Sequence, residues 1–465
     1  MSSQYSYPVN RHAYKHEVIP WRVTIGDIGM PHKGILMGSK AKRMEILESM
    51  GLIRQETPSR VTESTTHEFT QIMAIQGHDR EEQRIIHHWT MSPPSNEDWE
   101  MEAGAGDVVA ACIPQFLEAN DITVHSVAGP RGGMPKYRSV QSADGLIRTP
   151  REVTYFVEHS ESKERFVLQV ETDRCGDIEI SVYSPNASVW IAKLRAFAKA
   201  NNHLRGQTFD LLGKLIDHGN ITLDDVILTE NQSQVINRHI IEYARRINEL
   251  KGRGARGQRG VLLEGVPGCG KSMLLRAIAN ELDGISVCIA GPDQICRHGS
   301  IEVLKELIEM TAPCAVFIEE IDIFGADRRR GGNPGMAELM QLMDGLRNVP
   351  GVLWVGTTNR PEVVETALAD RPGRFDRRLK FGPLPDKERS RLVECMILPQ
   401  RLTPEALELA TSFTDEMTGA QVRDLAETLR ILSDKEEFDV SDVREAWEDC
   451  GFEAERVFGF ARSAS

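Results

Sequence analysis

The feature that most constrains the fold of this chain is a glycine-rich octapeptide, made of Gly265, Val266, Pro267, Gly268, Cys269, Gly270, Lys271 and Ser272. Its glycines let the backbone curl so that consecutive N–H groups point inward at an anion, and a helix that begins there adds its positive end. In such a phosphate-binding loop the lysine reaches the β- and γ-phosphates of a nucleotide, and the following hydroxyl binds Mg²⁺. An apolar run at 260–263 and helical spacing at 272–279 predict the flanking strand and helix.

Length and composition set the outer limits. The 465 residues are enough for two to three domains, and no apolar run of about 18 residues predicts a membrane span. The N-terminus has no secretion signal, and the eight cysteines include no C-x-x-C pair, so we expect a reducing, cytoplasmic setting. The net charge of −14 argues against a general nucleic-acid binder, although a local basic patch stays possible.

The N-terminal part is predicted to be an α+β region. Residues 1–60 carry nine Lys/Arg against five Asp/Glu, whereas 61–130 carry two against twelve. A hairpin, a third strand and a helix are predicted from apolar alternation and helical spacing, and a surface loop is predicted at 129–142. We divide the chain into a basic segment (1–60), an α+β recognition domain (61–205), a linker (206–221), an α/β core that carries the glycine-rich loop (222–384) and a helical lid with a tail (385–465).

Two carboxylates follow a buried strand in the second half of the chain. The apolar run 314–318 leads directly into Glu319 and Glu320, which is the arrangement of a Walker B motif. One carboxylate would hold the Mg²⁺ shell and the next would act as general base toward the attacking water. Apolar strands that alternate with helices predict a parallel sheet covered on both faces.

Polar residues follow two further stretches of this region. The apolar run 351–356 is followed by two threonines and then by Asn359, which would orient the attacking water or contact the γ-phosphate. Arg371 and Arg374 flank a Pro-Gly turn and suit charge stabilisation at a transferring phosphoryl group. Taken alone, such a pair is more often a basic surface turn.

The run from Gly260 to Phe381 resembles the AAA-type ATPases, a family of ring-forming P-loop ATPases. The resemblance covers about residues 222–450 and implies ATP and Mg²⁺ as cofactors, a five-stranded α/β core, a helical lid and a ring, usually of six subunits. It implies that Glu320 is the catalytic base, that Asn359 is a sensor, and that Arg371 and Arg374 are arginine fingers reaching a neighbour's nucleotide. It also assigns to nucleotide binding the loop with Met273, the pre-core segment Val226 and Ile227, and the lid residues Gly419 and Ala420.

The sequence departs from the family pattern at three points. Glu319 stands where the family usually has Asp, and Val266 and Cys269 replace the usual Pro and Thr of the loop. No aromatic residue lies between Ala290 and Ile301, where members that thread polypeptide usually carry one. Arg297 or His298 would line the pore instead.

We therefore predict a cytoplasmic ATPase that works as a ring and remodels or translocates a protein partner chosen by the N-terminal region. Two alternatives stay open. One is a nucleic-acid motor or loader that uses the basic first 60 residues, and the other is a regulatory ATPase with slow turnover.

Overall fold

The computed structural model describes most of the chain, namely residues 86–91, 95–129, 133–247, 249, 258–297, 299–325, 334–346, 349, 351–368 and 375–452. Two compact units make up this part: one runs to Asn202, apart from 142–144, and the other begins at His203. The basic segment 1–60, in which a helix is predicted from Lys40 to Met50 with Gly51 as its C-terminal stop, lies outside the described residues. None of the helices that are described has the length and apolarity to cross a membrane.

The N-terminal unit is an antiparallel sheet with two helices. Its elements are β1 Ser95–Met101, α1 Ala103–Ala119, β2 Ile122–Ala128, β3 Lys136–Ser142, β4 Gly145–His159, β5 Arg165–Thr172, β6 Ile178–Ser184 and α2 Ala187–Asn201. The strand order is β1-β6-β5-β4-β2, and β3 pairs with the long strand β4. The predicted hairpin is β4–β5, the predicted third strand is β6, and the helix expected from spacing at 188–200 is α2.

The central strands β5 and β6 are buried over most of their length, and helix α2 packs against one face of the sheet. Phe166 and Leu168 of β5 are fully buried, and the Phe166 ring stacks on Trp190 of α2 with centroids 4.6 Å apart. An ion pair crosses the same layer, where Arg151 donates to the buried carboxylate of Asp107 in α1 at 2.7 Å. The fold of this unit therefore rests on α-helices packed on one face of a twisted sheet.

Two strands of this unit were not expected. The prediction of a surface loop across 129–142 is wrong for its second half, because residues 136–142 form the strand β3, which pairs with β4. The edge strand β1 begins at Ser95, inside a stretch predicted as a loop, and pairs with β6 from Ser95↔Ser184 to Met101↔Ile178.

The second unit carries the nucleotide-binding motif on a parallel sheet. Its elements up to the lid are β7 Thr208–Asp210, a 3₁₀ turn Leu223–Asp225, α3 Glu230–Ile236, a π-helical stretch Asn237–Ile241, α4 Glu242–Arg245, β8 Gln258–Gly265, α5 Lys271–Glu281, β9 Ser286–Ala290, α6 Pro292–Ile295, α7 Ser300–Thr311, β10 Cys314–Ile318, a 3₁₀ turn Ile321–Gly325, α8 Pro334–Gly345, β11 Val352–Thr358, α9 Pro361–Leu368 and β12 Arg377–Phe381. The strand order is β12-β8-β11-β10-β9-β7, and every pair is parallel.

The central strands of this sheet are buried along their length. All five residues of β10 and all seven of β11 are buried, as expected for strands covered by helices on both faces. The five strands expected in the core are β8 to β12, and Thr208–Asp210, inside the segment predicted as a linker, adds a sixth strand to the sheet as β7 beside β9. Its three residues are too few to show a periodic pattern in the sequence.

The lid is a small helical domain after β12. Its elements are α10 Asp386–Ile397, β13 Arg401–Leu402, α11 Pro404–Phe413, α12 Gly419–Leu432, β14 Glu437–Phe438 and α13 Val440–Asp449. Apolar residues at helical spacing within 386–399, 404–412, 418–433 and 440–450 predict four helices, and the structure has a helix at each of these places. They bury a common core that includes Leu392, Leu425 and Trp447.

Candidate nucleotide-binding site

The loop between β8 and α5 has the geometry of a phosphate cradle. Gly268 and Gly270 have φ of +82° and +85°, a region that side chains with a Cβ rarely adopt, and Gly270 is the residue that caps α5. Gly265 is required for a different reason, because a Cβ there would lie 2.1 Å from the carbonyl oxygen of Phe381 on β12. The predicted loop residues therefore form one turn that leads into a helix N-terminus.

Lys271 is the cation of this loop. It is 7% exposed, and its Nζ donates to the carbonyl oxygens of Gly265 at 2.6 Å and Val266 at 3.0 Å. Burial lowers the pKa of Lys271, and the nearby carboxylates of Asp322 and Glu320 oppose that shift. The ammonium group is thus held within the loop, on the side that faces the acidic strand end.

The other loop residues line the same turn. Val266 and Pro267 are exposed, and Cys269 is half-buried against the core, where burial raises the pKa of its thiol. Ser272 is exposed on the first turn of α5, and Met273 beside it is half-buried.

The acidic pair stands where β10 ends. Glu319 is half-buried, and its backbone N–H donates to the carbonyl oxygen of Ala290 at 3.0 Å. Burial raises the pKa of Glu319, and Arg276 of α5 opposes that shift. Glu320 is exposed and has a φ of +53°, which is unusual for a residue with a side chain.

Asn359 joins this group from the neighbouring strand. Its side-chain amide donates to Glu320 Oε1 at 3.2 Å, and its backbone N–H donates to Asp322 Oδ1 at 3.1 Å. The structure therefore brings together Lys271, Glu320 and Asn359, which come from three separate motifs. Thr357 and Thr358, which precede Asn359, also form hydrogen bonds with Glu320 and Asp322. The sequence shows them as the polar end of a predicted strand, but no sequence pattern assigned them a role.

The lid reaches the loop through the start of α12. Thr418 caps this helix in a capping box with Gln421. The backbone N–H of Ala420 donates to the carbonyl oxygen of Gly268 at 3.1 Å, and a Cβ on Gly268 would lie 2.8 Å from the Cβ of Ala420. Gly419 lies beside the same carbonyl oxygen.

The segment before the core bridges two hydrophobic clusters. Val226 packs against the cluster of the α/β core, whereas the next residue, Ile227, packs against the cluster of the lid. Both side chains are half-buried. This segment therefore lies where core and lid meet, which is the position that the resemblance assigns to adenine contacts.

The donor groups of the site suit Mg²⁺. Ser272 offers a hydroxyl and Glu319 a carboxylate, and magnesium prefers oxygen ligands, usually one or two carboxylates completed by water and substrate phosphates. Within the described parts of the chain, no group of three or more His, Cys, Asp or Glu could hold a metal ion by itself. Arg371, Arg374 and His298 lie outside the described residues, whereas Arg297 is exposed just after α6.

Comparison with known proteins agrees with this geometry. Residues 261–383 match the model of the ATPase family associated with various cellular activities, AAA. The ATP-dependent zinc metalloprotease FtsH of Aquifex aeolicus is 30% identical over 281 residues, which are 56% of this chain and 44% of that protein. The proteasome-activating nucleotidase of Pyrococcus furiosus is 33% identical over 227 residues, or 46% of this chain and 57% of that protein.

The crystal structure of the FIGL-1 AAA domain aligns with a TM-score of 0.41 and 22% identity, over 51% of this chain and 89% of that one. The chain spans about half the length of the two relatives above, and the family-model match at 261–383 includes the glycine-rich loop, the acidic pair and Asn359. Residues 261–383 of this chain are therefore an AAA domain.

Proposed function

We propose that this protein hydrolyses ATP in the presence of Mg²⁺ and uses the reaction to remodel or translocate a protein partner. The observation that carries the proposal is the meeting of Lys271, Glu320 and Asn359, in which the Asn359 amide lies 3.2 Å from the Glu320 carboxylate. A general base beside a group that can orient water, at the mouth of a phosphate cradle, is what nucleotide hydrolysis requires.

Each residue has a distinct part in the proposed reaction. Lys271 and the loop N–H groups bind the phosphates, and Ser272 and Glu319 would hold Mg²⁺, which would supply positive charge beside those phosphates. Glu320 accepts the proton of the attacking water, which Asn359 orients. The space for the adenosine part of the nucleotide is lined by Val226, Ile227, Met273, Gly419 and Ala420.

Two substitutions test the chemistry. Lys271→Ala removes the cation of the loop and should abolish productive nucleotide binding. Glu320→Gln should bind ATP but hardly turn it over, because the amide cannot accept the proton. The measurements are fluorescent-nucleotide binding and phosphate release, with Glu302→Gln as the control because Glu302 is an exposed carboxylate on α7. Turnover of Glu320→Gln near the wild-type rate would move the base to Glu319 or Asp322.

A protein client is supported by two features. The relatives include a protease and a proteasome-activating nucleotidase, and a separate α+β unit precedes the ATPase unit. The absence of an aromatic residue between Ala290 and Ile301 argues against gripping of unfolded chains in general, so we propose that the N-terminal region selects the partner.

The alternatives differ from this proposal in what stimulates hydrolysis. ATPase activity of the full chain is measured alone, with casein as an unfolded protein, and with duplex DNA at two salt concentrations. Salt-sensitive stimulation by DNA alone would favour a nucleic-acid motor. A lysate depleted of nucleotide is added as a source of other possible partners. Slow turnover that neither casein, DNA nor this lysate stimulates would favour a regulatory ATPase.

We also propose that the active form is a hexameric ring in the cytoplasm. In such a ring Arg371 and Arg374 act across the subunit boundary as arginine fingers. A reducing compartment is supported by the free state of all eight cysteines, which form no disulfide.

A further inference from the structure

The end of β11 extends beyond the strand that it pairs with. The last paired residues of β10 and β11 are Ile318 and Gly356, so Thr357 and Thr358 stand beside the segment that follows β10. Both threonines are buried, with 2% and 0% of their surface exposed. On their other side they remain paired with β8, where Thr357 is opposite Leu263, so their positions are fixed by the centre of the sheet.

Thr357 contacts the backbone of the proposed general base. The N–H of Glu320 donates to Thr357 Oγ1 at 2.9 Å. With a φ of +53°, Glu320 is in a backbone region that costs a residue with a side chain about 1–3 kcal/mol and persists only where the surroundings enforce it. This hydrogen bond anchors the N–H of Glu320, and with it the point from which the Glu320 side chain leaves the backbone.

Thr358 fixes the other side of the same segment. Its hydroxyl donates to Asp322 Oδ1 at 2.8 Å, and its oxygen accepts the N–H of Arg360 at 3.0 Å. The same Asp322 oxygen accepts the backbone N–H of Asn359 at 3.1 Å, and Asp322 is only 9% exposed. The two threonines thus connect the strand that carries Asn359 with the turn that carries Glu320.

We propose that Thr357 is a positioning residue for ATP hydrolysis, whose hydroxyl oxygen holds the Glu320 backbone in the conformation that presents its carboxylate to Asn359. This inference rests on the proposed role of Glu320 as general base. Thr357 acts through Glu320 and not on the nucleotide, so its loss should reduce the rate of the chemical step and leave nucleotide affinity unchanged.

The test replaces the hydroxyl by a methyl group. Thr357→Val keeps the branched shape and removes the acceptor, and we expect kcat to fall about 10–100-fold, as for a displaced catalytic group, while KM for ATP is unchanged. Thr357→Ser keeps the oxygen and should recover most of kcat. Thr357→Ala removes the acceptor without adding an apolar group beside Glu320, and it replaces the valine variant if that one fails to fold.

The matched control is Thr311→Val. Thr311 is fully buried in the same unit, at the end of α7, and its hydroxyl donates to the carbonyl oxygen of Leu307 at 2.7 Å. Thermal unfolding of both variants separates stability from positioning. If Thr357→Val and Thr311→Val lower Tm alike and neither changes kcat, Thr357 is only structural and the inference is overturned. A wild-type chain without ATPase activity, or an active Glu320→Gln, would instead overturn the proposed function.

Discussion

Gly265 shows how much the site depends on a single missing side chain. It is the last residue of β8, opposite Phe381 on β12, and the carbonyl oxygen of Phe381 occupies the space where a Cβ would stand. The same residue gives its own carbonyl oxygen to Lys271. Strand packing and the position of the phosphate-binding lysine are therefore linked at one backbone site.

The substitution Gly265→Ala should weaken both the packing of β8 against β12 and the binding of ATP. A methyl group 2.1 Å from the Phe381 oxygen can be accommodated only if β8 and β12 separate, so we expect a lower Tm and weaker ATP binding. The control is Gly382→Ala, because Gly382 follows β12 directly and a Cβ there meets nothing within 4 Å. Equal Tm and equal ATP affinity in the two variants would show that β12 yields without cost.

Among the secondary-structure elements, the buried ones were readable from sequence and the exposed ones were not. The apolar runs of β10 and β11 predict buried parallel strands, and the structure has them there. In β3 no residue is fully buried, so it has no apolar alternation to read, and its pairing depends on β4. The same holds for the polar edge strand β1, in which only Met101 is fully buried.

The residues of the site also divide into those that the sequence predicts and those that it does not. Lys271, Glu320 and Asn359 were predicted because each belongs to a motif with local spacing. The contact of Thr357 with Glu320 joins residues 37 positions apart, and that of Gly265 with Phe381 is more distant still, so both depend on strand order. A sequence without its sheet topology contains no signal for either.

The cap of α13 gives a pH-dependent prediction at the scale of one helix. Asp439 accepts hydrogen bonds from the side chain of Ser441, from Lys435 and from the N–H groups of Ser441 and Asp442, and these bonds hold the pKa of Asp439 well below its usual value. A carboxylate whose pKa is depressed by folding stabilises the fold above its unfolded pKa, and loses that contribution as pH falls toward its folded pKa.

We therefore expect Asp439→Asn to remove part of the acid sensitivity of unfolding. Its amide oxygen can still cap the helix, so the variant should lose stability mainly above pH of about 4, the usual pKa of aspartate, and approach the wild type below it. Urea unfolding from pH 7 to pH 2.5 measures this. Asp434→Asn, at an exposed aspartate nearby, should leave the difference between neutral and acid stability unchanged.

At the scale of the whole molecule, the chain combines an ATPase unit with an α+β unit of separate core. The net charge of −14 is unevenly distributed, since the first 60 residues are basic and the following stretch is strongly acidic. The proposed ring adds a further level, because its arginine fingers would complete a neighbour's site.

Mixing two kinds of variant subunit tests whether Arg374 acts across a subunit boundary. Arg374→Ala and Lys271→Ala subunits should each be nearly inactive, since an arginine finger contributes about 10³–10⁵ in rate. Mixed together they should regain activity, because some interfaces then carry an intact loop and an intact finger. Mixing Arg374→Ala with the Lys271→Ala/Arg374→Ala double variant supplies no intact finger and should regain nothing. Full activity of a monomer, by light scattering, would rule out the ring.

The contact between Gly268 and Ala420 has a consequence for how this sequence can diverge. The two residues are far apart in the chain, yet an added Cβ on Gly268 would lie 2.8 Å from the Ala420 methyl group. Selection on the loop is therefore also selection on the lid: a mutation tolerated at one position depends on the residue at the other. Because the φ of +82° already favours glycine at 268, position 420 is the side of this contact that can vary, and we expect its residue to stay small among descendants of this protein.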